Sequence, residues 1–339
     1  MRSLRIGFAC LVGAALAWPL AAAEESKDYA KELQKAQSFQ HAKRYRECLK
    51  ACEKLLETYK ESTQAKEVAW LKIETQVLDS QLEGALKTLA DLAKAYGEDQ
   101  KLRTAVALRA GDVQRLLKKF PEARAECQRL ICTYPLEQSA CQSAQAKIVE
   151  TCRGESKWAE ALGAAHILYD AAGTEQGIRE AAQAVAQAFL AADGNLSRAN
   201  EFLAYQSFGP EGPDGKPNTP DDIAANRLAE VKYPTFSAEA NKQFEAAIQA
   251  QQENYDGYRA RAFLCVYWGR PKEGAAQFRL AFKAASLAQV PAAAQELVLI
   301  GMKAHTACFH GLDRIFDYLN YGPKGKSGKE SIPDPFAGL

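Results

Sequence analysis

The stretch Arg115–Pro135, RLLKKFPEARAECQRLICTYP, decides the fold. A basic turn, Lys118-Lys119, leads into Phe120, then Glu122 and Ala123, then Cys127, Leu130 and Ile131 at helical spacing, and closes on Tyr134-Pro135. Apolar residues three and four apart lie on one face of a helix. Proline ends such a run because it has no amide proton to give and crowds the residue before it. The stretch therefore reads as a tight turn, an amphipathic helix and a stop.

The same pattern recurs along the chain. Aligned on the small residue that follows the turn, the anchors are Cys48, Ala85, Ala123, Ala161, Ala199 and Gly274, separated by 37, 38, 38, 38 and 75 residues. The last interval is about two periods, and a fixed period in this range marks a stacked repeat array. No single unit can bury its apolar face alone, so neighbouring units share a core. Between the turns the chain is rich in Ala, Leu, Glu, Lys, Gln and Arg, all strong helix formers. Runs such as Leu49-Cys52-Leu55-Leu56 and Leu82-Ala85-Leu86-Leu89 keep the helical spacing. Alternating Val/Ile/Thr segments that would build a sheet are missing, so the fold class is all-α.

These residues resemble the tetratricopeptide repeat (TPR), a helix–turn–helix unit. Gly111 stands at the close approach of the two helices, Phe120 at the turn, Ala123 at the start of the second helix and Pro135 at the stop. Ala36, Phe39, Tyr45 and Leu55 match in the first unit, and Tyr258, Ala262, Gly269, Phe278 and Ala281 in the sixth. The period is longer than the family's 34 residues, so "TPR-like" is the appropriate description. The resemblance covers residues 29–320 and implies a right-handed α-solenoid of about seven units. It also implies a protein or peptide partner on the concave face lined by the first helices. It carries no ligand identity.

Residues 1–23 read as a cleaved export signal. Arg2 and Arg5 precede the apolar run Ile6–Leu20, and Ala21-Ala22-Ala23 offers small residues for cleavage before Glu24. The run is too short for a membrane anchor, which needs about 20 apolar residues, and no later run qualifies. Without these residues the chain carries 41 basic and 42 acidic side chains. That near-neutral balance lacks the electrostatic footprint of a nucleic-acid binder. The expected location is therefore exported, periplasmic or extracellular, with repeats over 24–206 and 223–320 and a flexible tail over 321–339.

The repeats are interrupted at residues 207–222, a Gly/Pro/Asp-rich loop. Asp214, Asn218, Asp221 and Asp222 offer oxygens of the kind calcium takes, six to eight to a site. Thr219-Pro220-Asp221-Asp222 equally reads as a helix start, with Thr as cap, Pro in the first turn and Asp near the positive end of the dipole. Capping accounts for most of these residues without a metal, and no other cofactor is implied.

Eight cysteines remain after cleavage. Most fall at small core positions, where Cys acts as a buried hydrophobe. Cys132 and Cys141 flank the Tyr134-Pro135 turn and are the candidate disulfide, since the chain is expected in an oxidising compartment. His305, Cys308 and His310 are too unevenly spaced to share a helix face as a zinc site.

No nucleophile elbow, phosphate loop or HExxH motif is present. Tyr258, Arg261, Tyr267 and Trp268 cluster in the sixth unit as a candidate binding patch, because aromatic and Arg side chains dominate interface hot spots. Repeat arrays also bury aromatics between helices as routine packing. The sequence thus points to a non-catalytic scaffold in a bacterial envelope. The alternative is a glycan- or wall-polymer-binding or processing protein that stacks sugars on those rings.

Overall fold

The computed structural model describes residues 25–59, 64–194, 196–208 and 232–301, with positions 214, 321, 324 and 328. The helices come in pairs. They are α1 (Glu25–His41) and α2 (Tyr45–Thr58), α3 (Gln64–Leu78) and α4 (Leu82–Ala95), and α5 (Gln100–Leu116) and α6 (Phe120–Thr133). Next come α7 (Gln138–Gly154) and α8 (Trp158–Ala171), then α9 (Glu175–Asp193) and α10 (Leu196–Phe208). After the interruption stand α11 (Ala238–Gln249), the pair α12 (Tyr255–Tyr267) and α13 (Pro271–Ala284), and α14 (Val290–Glu296), which runs into a π-helical turn at Leu297–Gly301. No strand occurs among the described residues. The fold is all-α, built from consecutive TPR-like helical hairpins.

The repeat appears most sharply in the backbone of the hairpin turns. Left-handed residues stand at Lys43, Ser80, Lys118, Ser156, Gly194 and Gly269, with φ between 58° and 67°. Each lies five residues before one of the sequence anchors. At Lys118 the amide donates to Arg115 O, and the next amide, on Lys119, reaches back to Gln114 O at 2.9 Å. The same pair of bonds forms at Lys43-Arg44, Ser80-Gln81, Ser156-Lys157 and Gly269-Arg270. This double closure satisfies carbonyls that the helix end would leave orphaned. The chain then enters the second helix directly, and Gly111 lets the two helices close: a Cβ there would lie 3.2 Å from Cys127 Sγ.

Two compact units divide the chain, one up to Thr88 and one from Leu89. In the first, Tyr29, Leu33, Ala36, Cys48, Cys52, Leu55 and Val68 form the core. Polar bonds pin its helices: Tyr29 OH donates to Glu67 Oε2 at 2.9 Å, and Gln40 Nε2 donates to Thr75 Oγ1 at 3.0 Å.

The second unit has one core that runs from Ala107 to Ile300. Helices α5–α10 stack in chain order, each packing on the next through α8 and α9, and α5 also touches α7. The helices after the interruption do something the repeat pattern did not predict. Helix α11 packs against α6, and α12 packs against α8 and α6. They cover the second helices of earlier hairpins. The physical reason is visible in α8, WAEALGAAHILYDA, which is apolar nearly all round and buries Ala161, Ala164, Ala165, Ile167 and Tyr169. A helix with that composition must be covered on more than one side.

Candidate binding surfaces

Two surfaces of the second unit bear on function: the first-helix side of α5 and α7, and the groove between α8 and the end of α12.

On the first-helix side, Arg109 and Asp112 of α5 meet Lys147 of α7, whose Nζ lies 2.6 Å from both carboxylate oxygens of Asp112. Ser143 and Glu150 are exposed and share the face of α7 that carries Lys147, at helical spacing. The arrangement presents charges of both signs, half-exposed, beside open polar positions.

The second surface is a groove filled by the chain itself. Residues Lys232–Ser237, KYPTFS, run without helix before α11 and lie along α8. Gly163 makes the approach possible: a Cβ there would lie 2.4 Å from Lys232 O and 3.0 Å from the Pro234 ring. Tyr233 OH donates to Asp170 Oδ2 at 2.7 Å, and His166 Nδ1 lies 3.3 Å from the same oxygen. The Tyr233 ring meets His166 edge-on, with centroids 5.5 Å apart, and passes over Gly269, where a Cβ would lie 2.6 Å from it. Burial, then the nearby Asp170 charge, raises the Tyr233 phenol well above its usual range, so it serves as a permanent donor. Three residues on, Phe236 stacks on Trp268 at 4.9 Å, and Phe244 stacks on the same indole at 5.0 Å. Trp268 Nε1 donates to Asn241 Oδ1 at 3.2 Å.

Of the two readings the sequence left for the aromatic cluster, binding patch or packing between helices, this geometry gives packing for Tyr267 and Trp268. Tyr267 and Trp268 are 1% and 4% exposed, so neither offers a ring face to a partner. They are buried because α12 is covered by α8, α11 and α13 together. Tyr258 and Arg261 are half-buried and paired with each other, the guanidinium 5.8 Å from the ring centre, and Arg261 also donates to Gln251 O at 2.6 Å. On the same helix, Arg259 grips Glu296 of α14 through two bonds of 2.7 and 2.5 Å. The arginines of this region act as clamps between elements.

The other expected sites are placed as follows. Asp214 is exposed, while Asn218, Asp221 and Asp222 lie outside the described residues, as do His305, Cys308 and His310. Among the described residues no group of three or more His, Cys, Asp and Glu side chains is placed to hold a metal ion. Cys132 and Cys141 are separate thiols, and Cys141 Sγ instead donates to Tyr134 O at 3.2 Å across the turn. Burial pushes the thiols of Cys127, Cys132, Cys141 and Cys265 up to about 12. Cys48 differs: hydrogen bonds from Cys52 and then Thr75 hold it down at about 7, while Cys52 is raised. Both are fully buried. Among the described residues no helix is long and apolar enough to cross a membrane.

The groove escaped the sequence reading, although two signals for it were present. Gly163 is a helix-interior glycine that costs about 1 kcal/mol against alanine, and so points to a close neighbour. Tyr233-Pro-Thr-Phe236 places two aromatics around a proline just before a Ser237 cap, whose Oγ accepts from the Ala240 amide.

No family model and no curated protein matches the chain. Among solved structures it is similar to a tetratricopeptide repeat protein from Parabacteroides merdae, at 11% identity and a TM-score of 0.36, over 81% of this chain and 99% of that one. It is also similar to yeast Tom70, at 14% identity and a TM-score of 0.27, over 88% of this chain and 70% of that one. The TPR-like fold rests on the helical hairpins and the recurrent left-handed turn of this chain itself.

Proposed function

We propose that this chain is a non-catalytic exported scaffold that holds a protein or peptide segment on the side lined by the first helices of its hairpins. One observation carries the reading. The second helices α6 and α8 are covered from within by α11, α12 and residues 232–237, whereas Ser143 and Glu150 remain exposed on the first-helix side. The half-buried Arg109, Asp112 and Lys147 beside them supply charge of both signs for orienting a partner. Export is supported by the apolar leader ahead of Ala21-Ala22-Ala23, and a bacterial envelope is the expected setting. The near-neutral charge argues against nucleic acid as the partner. Sugar stacking is not favoured, because Tyr267 and Trp268 are buried.

The test places a photo-crosslinking residue at Ser143 or Glu150 in the source cells, with Lys157 in a hairpin turn as the comparison. A discrete protein adduct from the first-helix positions alone supports the reading. Equal labelling at Lys157, or adducts only with wall polymer, would overturn it. N-terminal sequencing of the mature protein should begin at Glu24.

A further inference from the structure

We propose that the edge formed by the hairpin turns of α5–α10 is a docking surface for an anionic lipid bilayer, which holds the chain at a membrane face as a peripheral protein.

The first two turns lie side by side. Phe120 packs on Gly154, where a Cβ would lie 2.9 Å from its ring, and Arg124 pairs with Glu155 across the same junction. The third turn, at Gly194, belongs to the next hairpin of the stack. Large apolar side chains surface at all three. Leu116 before the first turn, Trp158 after the second, and Leu190 and Leu196 on either side of the third are between 36% and 59% exposed. Single exposed apolar residues are ordinary on any protein, but four of them on three successive turns form a row at one edge. Cations flank that row. Lys118, Lys119, Arg153 and Lys157 are exposed at the first two turns, with Arg115 and Arg124 half-buried beside them. The acids there are Glu122, Glu150, Glu155 and Glu160, and Glu155 is held between Arg124 and Lys157. Positive charge therefore prevails at this edge, although the chain as a whole is nearly neutral. In the loops at the other end of these helices, Glu98, Asp99 and Glu137 offset Lys101 and Arg103.

The occupant committed to is an anionic bilayer, because the edge offers two chemistries together. Lysine and arginine are drawn to the negative potential of acidic headgroups. Trp sits at the headgroup level, Leu reaches the acyl boundary, and Lys stems lie along apolar surface with the ammonium in water. An acidic polypeptide would meet the cations and leave Leu116, Trp158 and Leu196 in water. The edge is separate from the first-helix face, and its test needs no protein partner, so the two readings stand or fall independently.

The experiment uses the full chain from Glu24 and vesicles of phosphatidylglycerol mixed with phosphatidylcholine, read by co-sedimentation. Binding at least about ten-fold tighter than to phosphatidylcholine alone is expected, and it should weaken in high salt. Lys118→Glu/Lys119→Glu should bind at least about ten-fold more weakly, whereas Lys94→Glu/Lys101→Glu, away from the turns, should match the unsubstituted chain. Lipid brominated on its acyl chains should quench the tryptophan emission. Trp158→Phe should remove that quenching while keeping vesicle binding, because Trp268 is buried and Trp70 belongs to the first unit. If circular dichroism shows Lys118→Glu/Lys119→Glu unfolded, Lys157→Glu is read by the same criteria. Equal binding to the two kinds of vesicle, or undiminished binding of the folded charge-reversal variant, overturns the proposal. Vesicle binding without quenching through Trp158, or equally tight binding to polyglutamate, would overturn it in favour of an acidic polypeptide.

Discussion

At the scale of single residues, the hairpin turns carry a cost that the sequence does not advertise. Four of the six left-handed positions are Lys or Ser, not Gly. A side chain in that conformation crowds the following carbonyl, at about 1–2 kcal/mol per residue. Glycine removes the clash but adds unfolded-state entropy, so Lys118→Gly or Ser156→Gly is expected to stabilise by about 0.5–1 kcal/mol. Urea denaturation checks this. Lys119→Gly is the control, because Lys119 has φ −83° and only the entropic penalty applies. The thiols supply a second expectation. Burial raises Cys127, Cys132, Cys141 and Cys265 from 9.0 to about 12, so the folded state holds these protons more tightly than the unfolded state does. The associated stability is complete below about pH 9 and is lost as pH rises towards 12. The urea midpoint should therefore fall between about pH 9 and 10.5, and more gently in Cys127→Ala/Cys265→Ala, which lacks two of the four groups.

At the scale of elements, packing outranks helix propensity wherever two helices touch. Gly274 opens α13, and a Cβ there would lie 2.7 Å from Val266 Cγ2 and 3.0 Å from Ala262 O. Alanine is the better helix former by about 1 kcal/mol, but forcing a methyl against a backbone carbonyl costs about 1–3 kcal/mol. Gly274→Ala is thus expected to lower the thermal midpoint, and Val266→Ala in the same chain to restore part of the loss by clearing the nearer contact. The pairing of helices was legible in advance for the same reason: Gly111, Ala123, Ala161 and Gly274 are small because a neighbour stands against them. The coverage of α8 was less legible. Its all-round apolar surface announces burial, but burial by whom depends on residues more than 60 positions away, such as Tyr233 on Asp170.

At the scale of the second unit, the helices after the interruption do not extend a one-dimensional stack. They close over α6 and α8 and share their core, from Ala107 through Phe263 to Ile300. In a simple repeat array each unit contacts only its neighbours, and truncation leaves the remainder folded. Here a chain ending at Phe208 would expose the apolar flank of α8 and lose the Arg259–Glu296 clamp with its hairpin. That truncated chain is expected to bind a hydrophobic dye and to unfold with a broadened transition. Circular dichroism and dye fluorescence measure both, and a sharp transition at the full-length midpoint would restore the linear array.

The sequence by itself determined the all-α class, the 37–38 residue period and the position of each hairpin turn, because these follow from local rules. Helical spacing, small residues at close approaches and stop signals act within one repeat. It likewise marked Cys127, Cys152 and Cys265 as core residues. Tertiary structure alone decided that Tyr267 and Trp268 are buried, that Cys141 serves the Tyr134 carbonyl and that KYPTFS lies on Gly163. Each of these depends on which distant helix arrives at a given face, and an aromatic residue on an amphipathic helix reads the same whether that face meets a partner or the chain's own return.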